Sequence, residues 1–173
     1  MVEDKGFEPP MNDTFMELRS DREIVIARTF RAPPRIVFDV YTKAELVKRW
    51  WAPKGLGAQM LDCQADIRTG GKYRYVIRNA GGHEYAFSGT YTEVTRYSRL
   101  AYTQIFEPMA DAGEVIVTIT FEEFGGNTRF VSHELYPSRE AREATIASGM
   151  EKGMRETMNQ LDNLVASMKG GAE

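Results

Sequence analysis

The stretch from Ser138 to Met168 constrains the rest of the chain more than any other. Ile146, Met150, Met154, Met158, Leu161, Leu164, Val165 and Met168 recur at steps of three and four. At roughly 100° per residue they share one helical face about 120° wide. Lys152, Arg155, Glu156, Asn159, Asp162 and Asn163 fill the opposite side. Ser138, after Pro137, suits an N-cap, and Gly170-Gly171 suits a stop. The spacing therefore predicts one helix of about eight turns. Its apolar face is rich in methionine, and Gly153 lies within that face. A helix of this length needs an equally long apolar partner.

The middle of the chain supplies that partner. Glu23–Phe30 reads as a strand, and Ala32-Pro33-Pro34 ends it. Two short helices follow, Arg35 to Tyr41 and Lys43 or Ala44 to Trp50. Trp50-Trp51-Ala52-Pro53 closes them. From Gln59 the pattern changes to period two. Strands are expected at Gln59–Ile67, Lys72–Arg78, Tyr85–Val94, Leu100–Phe106, Glu114–Phe121 and Thr128–Leu135, separated mostly by glycine-rich turns. Consecutive strands joined by short connections form an antiparallel meander, with the first strand on one edge. Such a sheet curls by its own twist, and the long helix is the element large enough to fill the curl. Gly89 inside a strand points to a bulge or to close approach by another group. The order is β-α-α-β6-α, an α+β fold.

Composition narrows the function classes. The chain has 173 residues, suiting one domain, and 42% of them are hydrophobic. The net charge is −3, which lacks the basic character expected of a nucleic-acid binder. No apolar run reaches the length of a membrane span, and the N-terminus has no signal-peptide core. With one cysteine, Cys63, no internal disulfide is expected. The expectation is a soluble cytoplasmic protein with residues 1–20 as a disordered arm, 21–169 as one domain and 170–173 as a tail. Met11 and Met16 are alternative starts that the sequence does not distinguish.

Several segments carry a family resemblance. They are Arg28-Thr-Phe-Arg-Ala-Pro33, Val37-Phe-Asp-Val-Tyr-Thr42, Trp50-Trp-Ala-Pro-Lys-Gly55 and Asp66-Ile-Arg-Thr-Gly-Gly-Lys-Tyr-Arg-Tyr75. Phe87–Val94, Arg99–Thr103, Val117–Glu123 and the closing Pro137–Thr157 continue it. In this order the chain resembles the SRPBCC (START/Bet v 1-like) superfamily, in the branch named after the C-terminal domain of the activator of Hsp90 ATPase. The resemblance runs from about residue 22 to 168. It implies a helix-grip fold, a curved antiparallel sheet wrapped around a C-terminal helix. It also implies a cavity between the two that takes lipids, hormones, polyketides or other apolar molecules. Some members are enzymes, so fold alone does not decide function.

The inward strand faces would present Tyr73, Tyr75, Phe87, Tyr91, Tyr102, Phe106, Phe121 and Phe130 to Met150, Gly153, Met154 and Met158. Trp51 is a candidate for the entrance. These residues suit a pocket for an apolar or aromatic molecule, with apolar walls for burial and tyrosine hydroxyls for orientation. The same residues also suit a filled core, and both outcomes stay open. Gly153, and Gly89 on the sheet, would leave space. Glu134, in phase with Phe130 and Ser132, is a weak candidate for an acid or base. Asp66 with Arg68 reads as a local ion pair, His133 as outward-facing and Cys63 as a small buried residue. No metal or cofactor motif is present.

Three functions compete. The first is a small-molecule binding protein. The second is a cyclase- or hydrolase-type enzyme using the same cavity. The third is a protein-interaction module like the Hsp90 co-chaperone domain. About 20 residues precede the first expected strand, too few for that co-chaperone's separate N-terminal domain, which argues against a chaperone partner. A homodimer stays open.

Overall fold

The computed structural model describes residues 7–170. The strands are β1 (Phe15–Glu17), β2 (Glu23–Phe30), β3 (Gln59–Ala65), β4 (Lys72–Arg78), β5 (Glu84–Thr95), β6 (Arg99–Phe106), β7 (Val115–Phe124) and β8 (Asn127–Leu135). Helices α1 (Pro34–Thr42) and α2 (Ala44–Val47) separate β2 from β3, and α3 (Arg139–Ala147) and α4 (Met150–Gly170) follow β8. The sheet runs β1-β2-β8-β7-β6-β5-β4-β3, every neighbouring pair antiparallel. The meander of short connections accounts for the order from β3 to β8. β2 then pairs with β8 and carries the sheet around the helix.

Three expectations are corrected. The N-terminal arm is ordered over its described part. Residues 15–17 pair with β2 as an edge strand, and the Thr29 amide donates to the Pro10 carbonyl. Three residues carry no detectable periodicity, so this strand depends on its neighbour rather than on its own pattern. Residues 1–6 and 171–173 of the expected arm and tail lie outside the described residues. The second correction concerns the long helix, which is two helices. Gly149 adopts a left-handed backbone, φ +84°, a conformation glycine reaches without a Cβ clash. Its amide donates to Ile146 and closes α3. The expected cap stands, with Ser138 Oγ accepting from the Ala141 amide at 3.0 Å. Third, Met168 is exposed rather than on the buried face.

The buried face of α4 is confined to its C-terminal half. Met158, Leu161, Leu164 and Val165 are buried, whereas Met150 and Met154 are only partly so. Polar contacts fix this half on both flanks. Arg28, inward-facing on β2 and 3% exposed, donates to Asp162 Oδ2 at 2.7 Å, Asn159 Oδ1 at 2.8 Å and Thr14 Oγ1 at 3.0 Å. Opposite, the Gln160 amide donates to the carbonyls of Trp50 and Ala52, at 2.9 and 2.7 Å. Its oxygen accepts from the Lys54 amide.

Removing one partner of a buried ion pair leaves the other charge uncompensated, at a cost of about 3–5 kcal/mol. Asp162→Ala is therefore expected to lower the unfolding free energy by about 3 kcal/mol in a denaturant titration. Asp66→Ala removes the expected but exposed pair to Arg68 Nε, 2.8 Å long, and is expected to change it little. Equal losses in the two variants would refute this account of the helix anchor.

Candidate functional site

The space between sheet and helix divides into two parts. Toward β4 and β5 it is filled. Tyr75 and Tyr91 pack at a tilt against Tyr73, with centroids 5.0 and 5.4 Å from its ring, and the Tyr73 hydroxyl donates to the Thr103 carbonyl at 2.7 Å. The gap left beside these rings, Tyr41, Trp51 and Tyr102 holds about 10 Å³, room for no more than a water molecule. A Cβ on Gly89 would lie 1.8 Å from the Thr103 carbonyl oxygen. Gly89 therefore allows backbone and the Tyr73 ring to approach and leaves no cavity space. Phe121 is likewise core, packed against Phe38 at 5.2 Å and Phe130 at 5.6 Å.

Beyond Tyr102 the space is open. A cavity of about 510 Å³ lies between β6–β8, α3 and the N-terminal half of α4. Of the residues singled out from sequence, Trp51, Phe87, Tyr102, Phe106, Phe130, Met150, Gly153, Met154 and Met158 line it, as does Glu134. Tyr73, Tyr75, Tyr91 and Phe121 do not. At the Gly153 position a Cβ would meet only Pro53 Cγ, at 3.8 Å. Trp51 stands at the boundary of the two parts, its ring 5.0 Å from that of Tyr75 and 6.2 Å from that of Phe87. Trp50 is buried, its indole N–H donating to the Val40 carbonyl at 2.8 Å. Exposed Met109, Ala112, Ser148 and Gly149 also line the cavity, so its mouth lies between the Glu107–Ala112 turn and the α3–α4 joint.

Sequence reasoning missed the second wall. Ala141, Ala144 and Thr145 of α3 and its C-cap Ser148 line the cavity, with Tyr136, Gln104 and Val115. The signal was Ser148-Gly149, read as part of a continuous helix. Once the chain turns there, the small residues of α3 form a wall of their own.

Among the described residues one charged side chain lines the cavity, Glu134. Register places it in a row with Tyr102, Val117 and Ile24 across β6, β7, β8 and β2. Its Oε1 accepts from the Tyr136 hydroxyl at 3.0 Å. Burial among apolar groups pushes its carboxyl up to about 7, and the Tyr136 bond pulls in the opposite direction. The Tyr41 and Tyr102 hydroxyls bond each other at 2.9 Å, and burial raises both far above the ordinary phenol range. Cys63 lies outside this cavity; burial pushes its thiol up to about 12. His133 faces the outer side of the sheet and bonds Glu23, whose carboxyl it lowers. Among the described residues no three His, Cys, Asp or Glu side chains gather closely enough to hold a metal ion.

A curved antiparallel sheet closed on a C-terminal helix, with a cavity between them, defines a helix-grip protein. The chain belongs to the family described as Activator of Hsp90 ATPase homolog 1-like protein, whose model matches residues 31–166. Solved structures share the fold. A protein of Rhodobacter sphaeroides is 24% identical with a TM-score of 0.81, covering 90% of this chain and 99% of that one. A protein of Staphylococcus epidermidis is 29% identical with a TM-score of 0.74, covering 88% and 94%. An Hsp90 activator from Plasmodium falciparum is 19% identical with a TM-score of 0.52, covering 66% and 73%, a likeness of fold. No curated protein matches the sequence. Among the described residues no helix is long and apolar enough to cross a membrane.

The raised Glu134 carboxyl has a consequence for stability. The folded protein holds that proton up to about pH 7, whereas the unfolded chain releases it near 4.5. Its contribution is full below about pH 4.5, is lost as pH rises to about 7, and is flat above. Glu134→Gln is expected to stabilise the protein at pH 8 by an amount on the order of 1–3 kcal/mol and to change it little at pH 4.5. Denaturation midpoints at the two pH values check this; an equal gain at both would refute it.

Proposed function

We propose that the protein binds an apolar or aromatic small molecule in the cavity between β6–β8, α3 and α4. The cavity itself carries this reading. Its volume of about 510 Å³ falls within the range of small-molecule sites, roughly 300–1,000 Å³. Its lining is mostly aromatic rings, methionines and small side chains, with few polar groups. Binding accounts for this lining better than turnover does. Proton transfer in a cyclase or hydrolase is served by an acid and a base together. Here one carboxyl is accompanied by tyrosines that burial holds protonated.

A thermal-shift screen of apolar and aromatic compounds tests the proposal. A saturable rise in melting temperature is expected for some of them. Gly153→Leu fills the space beside Pro53 and replaces a helical glycine, which alone is worth about 1 kcal/mol. It is expected to raise the melting temperature of the free protein and to abolish the ligand-induced rise. Ligand shifts that persist unchanged in Gly153→Leu would place binding elsewhere.

A further inference from the structure

We propose that the molecule bound in this cavity carries a protonated amine, which docks on Glu134. The inference rests on the cavity-binding proposal above and specifies its ligand class. Four observations support a cationic group.

Among the described residues Glu134 is the one charged side chain in the lining. A half-buried carboxylate in a largely apolar lining is costly unless a counter-charge meets it, and among the described residues no lysine, arginine or histidine lines the cavity. Arg142 on α3, the cation near Tyr136, is engaged elsewhere: its guanidinium donates to the Ser20 carbonyl and to Glu143.

The carboxylate is also only half satisfied. Oε1 accepts from Tyr136, and among the described residues no donor reaches Oε2. In the same lining, two positions before Glu134 on β8, the Ser132 hydroxyl makes no side-chain hydrogen bond among the described residues. An ammonium has three donors and no acceptor. Its donors suit the unmet carboxylate oxygen.

The remaining surroundings favour a cation over a neutral donor. The rings of Tyr41, Tyr102, Trp51 and Phe130 line the same cavity, and aromatic faces attract ammonium groups. They also disfavour an anion, which would meet Glu134 with no cation to offset the repulsion.

The titratable groups facing Glu134 are Tyr136 on its own strand, Tyr102 on β6 and Tyr41 on α1, all raised by burial. α4 presents only Met150, Met154, Thr157 and Met158 to the cavity beside Gly153. Below alkaline pH, Glu134 is therefore the group whose charge changes. Its carboxyl, raised to about 7, ionises more readily once an ammonium is bound, so amine binding should strengthen with pH through neutrality.

The test uses three probes with one aromatic skeleton: 9-anthracenylmethylamine, 9-anthracenemethanol and 9-anthracenecarboxylate. Binding to the full chain is followed by anthracene fluorescence anisotropy. At about pH 8 the amine is expected to bind at least tenfold more tightly than the alcohol, and the carboxylate most weakly. Lowering the pH to about 5.5 should weaken the amine roughly tenfold and leave the alcohol unchanged. Glu134→Gln should bring amine and alcohol to equal affinity while the alcohol's own affinity holds. The pH series on the unaltered protein tests the same point should that variant not fold. Alcohol binding as tight as amine binding, or an amine affinity insensitive to pH and to Glu134→Gln, overturns the amine inference and leaves the cavity proposal standing. If none of the three binds, both fail.

Discussion

The buried pairing of Arg28 with Asp162 is the interaction on which this architecture turns. It joins β2, near one edge of the sheet, to the C-terminal half of α4, and Asn159 and Thr14 complete the guanidinium's contacts. A buried ion pair adds little net stability compared with well-packed apolar residues of the same volume. Its directional demands are what matter here. Arg28 sits where Ile24, Ile26 and Phe30 point inward, so the helix can approach only in a register that brings Asp162 and Asn159 to it. Gln160, engaging the Trp50–Lys54 segment, fixes the same turn of helix from the other flank.

That anchoring explains where the cavity falls. Held at residues 159–162, α4 buries Met158, Leu161, Leu164 and Val165 against the sheet. The first two turns are tied to the N-terminal arm by Arg155, which donates to the Thr14 carbonyl, and bury no side chain fully. They carry Gly153 between two flexible methionines, and they follow Gly149, whose backbone is left-handed. At the other end of the concave face, tyrosines fill the volume themselves. The unfilled space therefore lies opposite the N-terminal half of α4, and α3 closes its side. Sequence reading left two outcomes open, a filled core or a cavity, and the protein contains both.

Much of this was legible in the sequence for a physical reason. Alternation along Lys72–Arg78 and Val115–Phe121 reports which side chains face inward, because strand geometry admits only two faces. The closing helix was legible through its three-and-four spacing. What escaped were features set by partners distant in sequence. The edge strand β1 is too short to show a period. Tyr73 and Phe87 are both inward-facing aromatics by pattern, yet one fills the core and the other lines the cavity, since pattern reports the face and not the depth. Gly89 and Gly153 looked alike as missing side chains. One accommodates a carbonyl at 1.8 Å from its would-be Cβ and the other faces open space.

Glu134 shows how the pattern of one strand carries meaning beyond packing. Along β8 the inward positions run Thr128, Phe130, Ser132 and Glu134, and Tyr136 follows. Thr128 is spent on the Ala32 carbonyl at 2.7 Å, and Phe130 packs against Phe30 and Phe121. From Ser132 onward the strand leaves the part of the sheet that the helix fills. Beyond Phe130 its inward positions are Ser132 and Glu134. A carboxyl at that position weakens the fold wherever it is charged, and the neighbouring chain supplies a single hydroxyl to it. An apolar residue of similar size would pack the same wall at no such cost. That cost, at a position bordering an open cavity, is the ground for proposing that Glu134 meets what the cavity binds.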